Sequence, residues 1–377
     1  MKIVLIGNYL PDKQESMERF ALMLDDGFKR NGIETVIWRP VAFLGFNIKK
    51  AHSGIGKWIG YIDKWLLFPL VIRWRVFKEL NRNKEVFFHV CDHSNSPYLK
   101  HLPKDRSGIT CHDVLAIRGA FGHSDAHNPA SRLGIFLQKW ILANLSEAKR
   151  LAAVSKLSLD QLKELSTDKT DLHPHWQVIH NALNAEFYPM DKVQRDEILL
   201  KAGISKDTQF LLHVGSYMPR KNRKMLLDMV DKLQDKYTGY ICFAGHAVDA
   251  ELLEHAKQLN LQNRIISVTG PDHETLVALY SACDAFVFPS YSEGFGWPVI
   301  EAQACGAPVV ASKLDPMPEV SGGAAIHADP YNPQEFADAY IKLNDPSVKA
   351  ALIQTGFDNI RHFSLNTMIK SYIKLYQ

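Results

Sequence analysis

Residues 292–301 read SEGFGWPVIE, and the flanking sequence makes this stretch the joint between a strand and a helix. Upstream, DAFVFPS (284–290) is a short apolar run of the kind that forms a buried strand. Downstream, Pro298 suits the first helical position, VIEAQAC continues as a helix, and Gly306 ends it. Gly294 and Gly296 let backbone N–H groups come close to a ligand, and the amides and macrodipole of a helix start favour an anion. Two carboxylates flank that start, Glu293 in the loop and Glu301 in the first turn of the expected helix. A carboxylate is a poor phosphate ligand but a good acceptor for sugar and ribose hydroxyls. The combination fits a nucleotide-sugar, with phosphates over the helix start and one carboxylate on each sugar. The plain alternative is a strand–loop–helix turn with a solvated Glu293.

The same strand-into-loop pattern recurs on both sides of a break near residue 190. KIVLIG runs into a loop at Gly7. ESMERFALMLDDGFKRNG has helical apolar spacing at Met17, Phe20, Leu24 and Phe28, with Gly32 as a stop, and ETVIW is the next strand. VFFHV and GITC follow, ending in the polar loops CDHSNS and HDVLAIR, then a helix over 131–150, LAAVS and QVIHNAL. A second series comprises FLLHVGSY, GYICFAG, RIISVTG, DAFVFPS and APVVAS. Strands alternating with helices imply two α/β halves, each a parallel sheet with helices on both faces and ligands at its carboxyl edge. The expected domains are residues 1–190 and 191–360, with a final helix at about 361–377.

The chain of 377 residues with 46% hydrophobic composition is large enough for two cores and excludes disorder as an account. Five cysteines without a CxxC pair suit a reducing cytoplasm and argue against a disulfide framework. No signal peptide and no apolar run of transmembrane length is visible, so the expected location is cytoplasmic. Residues 1–190 carry 26 Lys and Arg against 19 Asp and Glu, whereas residues 191–377 carry 18 against 22. The segment 48–84 holds nine basic and two acidic residues, which accounts for the N-terminal excess.

SEGFGWPVIEAQACGAPVVAS closely resembles the E-x7-E signature of retaining glycosyltransferases of family GT4, which have the GT-B fold. The resemblance extends to the HD of TCHDV, to GSYMPRKN, to VTGPDHETLVALYSACDAFVFPSYSEGFG and to EVSGGAAIHADP, in order, over most of residues 85–340. It implies two Rossmann-like, doubly wound domains facing across a cleft, the first for the acceptor and the second for a nucleoside-diphosphate sugar. The final helix would cross back onto the first domain.

It also implies roles. Glu301 would hold the donor ribose and Glu293 the transferred sugar, with the amides around Gly294, Phe295 and Gly296, beside Val299, approaching the sugar and diphosphate. In GSYMPRKN, Gly215 opens a loop, and Arg220 and Lys221 would neutralise the leaving diphosphate, so no metal or other cofactor would be required. Many relatives place Arg directly after this Gly; here Ser216 stands there. His112 would donate to the transferred sugar or the reaction centre, with Asp113 as its orienter or an acceptor-side group. Gly270 and Leu276 would line the nucleobase. The N-terminal loop departs from the family's Gly-Gly pair, with Gln14, Glu15 and Ser16 at the helix start, which points Asn8 and Ser16 to the acceptor.

The implied reaction is transfer of a hexose, with retention, from a UDP-glucose or GDP-mannose type donor to a hydroxyl acceptor. A glycan or lipid-linked glycan in polysaccharide biosynthesis is the expected acceptor. The alternatives are a sucrose- or trehalose-type synthase on a soluble sugar phosphate and a non-catalytic nucleotide-sugar-binding protein. Displacement would be front-side, with no carboxylate nucleophile, and domain closure would exclude water.

Two further stretches need weighing. HVCDH places His89, Cys91 and His93 on one strand face, as a zinc site would, but no second pair lies nearby and a strand end is the better reading. HPH (173–175) reads as a surface turn. KWIGYIDKWLLFPLVIRWRVFKEL (57–80) is apolar, aromatic and cationic together. That favours peripheral contact with anionic lipid over nucleic acid, which is not expected as a partner. A core helix pair with solvated lysines is the plain alternative, and Pro69 should bend any long helix here.

Overall fold

A computed structural model describes residues 1–43, 59–124, 130–166 and 175–377. The chain divides into two compact units, Met1–Asn184 with Leu365–Gln377, and Ala185–Ser364.

In the first unit six strands form one parallel sheet: β1 (Lys2–Ile6), β2 (Glu34–Trp38), β3 (Val86–Val90), β4 (Ser107–Cys111), β5 (Arg150–Ala153) and β6 (His175–Val178), in the order β2-β1-β3-β4-β5-β6. The central strands read as nearly continuous apolar runs because helices cover both faces. Against one face pack Phe68, Ile72 and Val76 from the helix Phe68–Arg82. Against the other lie Phe20 and Phe28 of the helix Glu15–Arg30 and Tyr372 of the helix Leu365–Tyr376, whose rings meet edge to face. The close approach of these two helices depends on Gly27, where a Cβ would sit 2.4 Å from Ile369 Cγ1.

The second unit repeats the plan with β7 (Phe210–Gly215), β8 (Tyr240–Gly245), β9 (Ile265–Thr269), β10 (Ala285–Phe288), β11 (Val309–Ser312) and β12 (Ile326–Ala328), in the order β12-β11-β10-β7-β8-β9. Each sheet has one point where the strand order reverses, between β1 and β3 and between β10 and β7. The crevice beyond the strand ends there is where open α/β sheets bind ligands.

Several local expectations change. The expected 131–150 helix runs from Arg132 to Leu145, and β5 already starts at Arg150. HDVLAIR is no simple loop: Asp113 Oδ1 accepts from Leu115 N at 3.0 Å and a helix covers Leu115–Ala120. CDHSNS opens a 3-10 segment, His93–His101, capped by Asp92. β12 has no counterpart in the sequence reading. Pro69 stands within a helical run from residue 59 to Arg82, and the α geometry of that run is interrupted just before it by a wide π turn over Asp63–Leu67. Residues 48–58 of the basic segment, and His173 and Pro174, lie outside the described residues.

Candidate active site

The second unit gathers most of the singled-out residues at the reversal between β7 and β10. The loop after β7 turns at Pro219–Lys221, and the loop after β10 leads through Glu293 to the helix Trp297–Ala304. Tyr291 N donates to the Arg220 carbonyl at 2.8 Å, which ties the two loops together. Asn222, in the left-handed region at φ 51°, donates through its side-chain amide to the carbonyls of Pro289 (3.1 Å) and Pro330 (2.8 Å). No expectation from the sequence falls on Asn222. Its only signal was its place at the end of GSYMPRKN.

Held this way, two cations converge on one carboxylate. Arg220 Nη1 donates to Glu293 Oε2 at 2.7 Å and to the Ser292 carbonyl at 2.9 Å, while Lys221 Nζ donates to Glu293 Oε1 at 2.6 Å. Glu293 is buried. Burial alone would raise its carboxyl, but Lys221 and Arg220 outweigh it and bring the group down to about 2. Burial lowers Lys221, against the opposing pull of Glu293. The Lys221 ammonium also stands 5.1 Å from the centre of the Phe288 ring, and His213 stacks on that ring from elsewhere in the core. His213 Nδ1 donates to the Val287 carbonyl at 3.2 Å, and burial pushes the imidazole down to about 3. A neutral ring near Lys221 and Arg223 avoids a third positive charge.

The glycine-rich helix start is built as its residue types demand. Gly296 caps the helix at φ +104°, a backbone conformation in which any L side chain would be strained, and a Cβ there would also have to displace Met317 Cε. Phe295 is buried edge to face with Trp297 and Phe363, and Val299 is fully buried. Glu301 stands at the fifth position of the helix, beyond the first turn where the sequence placed it, and its Oε2 accepts from the Tyr280 hydroxyl at 2.9 Å. Gly215 closes β7, with His213 Nε2 only 3.2 Å from where its Cβ would be, and Ser216 is half-buried in the loop beyond. Gly270 is exposed at φ +58° with its N–H donated to the Gly245 carbonyl at 2.8 Å. Leu276 is half-buried on the helix His273–Ala282.

His112 belongs to the first unit, directly after β4. Its Nε2 lies 2.8 Å from the Cys91 carbonyl, which can only accept, so Nε2 carries the proton. Burial lowers the imidazole against the opposing pull of Asp92, and the neutral ring then presents Nδ1 as an acceptor. Asp92 ends β3 as Asn8 ends β1. Asn8 Nδ2 donates to Asp92 Oδ2 at 2.6 Å and also to Gln14, and Asn95 Nδ2 donates to Asn8 Oδ1 at 3.1 Å. Asn8 is therefore engaged at the first sheet's reversal point, whereas Ser16 lies exposed on the helix Glu15–Arg30. The would-be zinc face of HVCDH is occupied: His89 Nδ1 meets Tyr376 Oη at 2.5 Å and Nε2 meets Thr110 Oγ1 at 2.8 Å. Among the described residues no group of His, Cys, Asp and Glu is arranged to hold a metal ion.

Two parallel doubly wound sheets of this order define the GT-B class of fold. A sucrose-phosphate synthase from Thermosynechococcus elongatus has the same fold at TM-score 0.71 and 20% identity, the alignment covering 100% of this chain and 98% of that one. Residues 194–356 match the family model for glycosyl transferases group 1. The chain is 28% identical over 294 residues to the O-antigen chain mannosyltransferase B of Escherichia coli, covering 76% of this chain and 73% of that one. It is 27% identical over 286 residues to a D-inositol 3-phosphate glycosyltransferase of Mycolicibacterium smegmatis, covering 72% of this chain but only 63% of that enzyme. By these matches the chain is similar to the group 1, GT4-like glycosyltransferases.

Proposed function

We propose that the chain is a retaining hexosyltransferase that moves a sugar from a nucleoside-diphosphate donor to a hydroxyl of a glycan or lipid-linked glycan, without a metal cofactor. It would work in O-antigen-like polysaccharide biosynthesis and be peripheral on the inner face of the membrane. The observation that carries this reading is the convergence of Arg220 and Lys221 on Glu293 beside the glycine-rich helix start. Two positioned cations in a dry site can receive the charge that develops on a departing diphosphate. In the proposed step the acceptor oxygen bonds to the anomeric carbon, the bond from that carbon to the diphosphate oxygen breaks, and the acceptor proton passes to a phosphate oxygen. Glu293 and Glu301 take hydroxyls of the sugar and ribose, and neither acts as nucleophile. His112, with Nε2 committed, accepts a sugar hydroxyl through Nδ1.

Likeness to an O-antigen mannosyltransferase favours mannose as the transferred hexose. Likeness to the inositol phosphate enzyme favours a second reading, transfer to a soluble phosphorylated polyol. A thermal-shift screen of UDP, GDP, ADP and their sugars, followed by transfer assays with the stabilising donor, tests both. A ligand bound only by the native state raises its melting temperature. Absence of any nucleotide-dependent shift or turnover across the panel overturns the reading.

A further inference from the structure

The helix Phe68–Arg82 has two apolar faces, and a single core needs only one. Phe68, Ile72 and Val76 point into the core, but Leu70, Trp74 and Phe77 are 61%, 61% and 69% exposed on the opposite side. At 100° per residue these three fall within a narrow arc, with Arg73 on one border and Lys78 and Arg82 on the other, all exposed. One turn upstream Leu66 is 65% exposed, extending the stripe. The neighbouring helix Arg132–Leu145 adds Leu133 and Phe136, both exposed, with Arg132 and Lys139 beside them. Trp65, in the π turn just before the first helix, meets Trp140 of the second, their rings edge to face at 5.2 Å. Six large apolar side chains are thus exposed on these elements, and clustered exposed apolar surface marks an interaction site.

The charges select the partner. The only two acidic residues of segment 48–84 are turned away from this face: Asp63 is buried and accepts from the Tyr9 hydroxyl at 2.9 Å, and Glu79 pairs with Lys2 at 3.2 Å. The cations of the outer face are left without carboxylates of their own segment. Lys78 lies over the Trp74 ring at 5.0 Å and Lys139 over Phe121 at 5.8 Å, so the long stems follow apolar surface while the charges sit at its edge. A nucleic-acid surface would carry cations along its centre; here the centre is Leu70 and Phe77 with cations at the rim. That is the layout of a helix lying in a bilayer interface, with apolar side chains among acyl chains and cations at anionic headgroups. No helix among the described residues is long and apolar enough to cross a membrane, so the contact is one of lying on the surface.

We propose that the outer face of the helices Phe68–Arg82 and Arg132–Leu145 docks the first unit onto an anionic phospholipid bilayer. The inference deepens the membrane-peripheral part of the proposed function and is independent of the transfer chemistry. The test is co-sedimentation of the full chain with phosphatidylcholine vesicles, with and without phosphatidylglycerol. Wild type should sediment with the anionic vesicles and weaken in high salt. Leu70→Ser with Phe77→Ser should weaken partition by about tenfold or more, the worth of one such side chain withdrawn from water. Arg73→Ala with Lys78→Ala should weaken it about fivefold per charge on anionic vesicles only.

These positions are exposed, so melting temperature and nucleotide-induced stabilisation should be unchanged in every variant. That second readout separates failure of the docking face from failure of the donor site. Equal sedimentation of wild type and both variants, or no sedimentation of wild type, overturns the proposal. So does a dimer of the wild type that Leu70→Ser/Phe77→Ser disperses, which would make the face a contact between copies of the chain.

Discussion

Replacing Glu293 by Gln keeps the side chain's size and removes the charge that Arg220 and Lys221 share. Its carboxyl lies at about 2 against an ordinary 4.5. At about 1.4 kcal/mol per pKa unit, the carboxylate contributes on the order of 3 kcal/mol to the folded unit at neutral pH. The folded value is depressed, so this contribution is present above the ordinary value and is lost as pH falls through the window from 4.5 towards 2. The variant, with two half-matched cations, should melt roughly 6–12 °C lower than wild type at neutral pH. The difference should vanish in strong acid.

The ligand response is the sharper test. A nucleoside diphosphate brings negative charge to the same two cations and supplies what the variant lacks. In wild type a carboxylate about 6 Å from a phosphate opposes it by about 3 kcal/mol at an effective dielectric of 20. Glu293→Gln should therefore bind UDP or GDP as tightly as wild type or tighter, and saturating nucleotide should raise its melting temperature more. Turnover with the sugar nucleotide should still fall about 100-fold or more, because the sugar hydroxyls lose their acceptor. Calorimetric titration with the nucleotide alone, beside transfer assays, decides the matter. Nucleotide affinity and turnover falling by the same factor, or a smaller ligand-induced shift in the variant, would refute the separation of roles.

Other perturbations probe other parts. Tyr280→Phe removes the donor to Glu301 and should weaken UDP or GDP about tenfold while sparing pyrophosphate, as calorimetry would show, because Glu301 is read on the ribose. Gly27→Ala forces a methyl against Ile369 and should cost about 1–3 kcal/mol in urea unfolding, with Ile369→Val recovering part of the loss. His89, held near 3 by burial, binds its proton first in the unfolded chain. Stability should therefore decline as pH falls below the ordinary 6.5, and His89→Gln should flatten that slope by up to about 1.4 kcal/mol per pH unit. EDTA should leave transfer activity nearly intact, and a strict requirement for Mg²⁺ or Mn²⁺ would overturn the metal-free reading.

The sheets were legible because buried parallel strands leave strong marks: KIVLI, VFFHV and FLLHVG are apolar at all but one position apart from the closing glycine of the last, and each becomes a strand within a residue or two of its expected ends. β12 was not, since three residues, IHA, carry no pattern of their own and are fixed by pairing with β11. The glycine-rich turn was legible because Gly296 and Pro298 have backbone requirements that a sequence displays. The partners were not. Nothing local to Glu301 announces Tyr280, 21 positions away, or tells that Asn222 bridges Pro289 and Pro330. His112 shows the same limit, because its proton is set by a carbonyl on another strand's end.

The ionic triad is itself an argument for function. Burying charges costs several kcal/mol per ion, and replacing a buried ion pair by apolar residues of similar volume is often neutral or stabilising. Arg220, Lys221 and Glu293 thus have no advantage over an apolar plug as a way to hold the loops after β7 and β10, which Asn222 and the Tyr291 N–H already tie. The first sheet shows the contrast: its reversal point is occupied by the single carboxylate of Asp92, held by the Asn8 amide and the backbone and hydroxyl of Ser94. The same strand order therefore does not require two cations beside a carboxylate. What does require them is an anionic ligand that must be held and then released with more charge than it brought. On the proposed reading the carboxylate has a use: it keeps both cations aligned, so a diphosphate would meet a prepared pair and Glu293 would turn to the sugar hydroxyls.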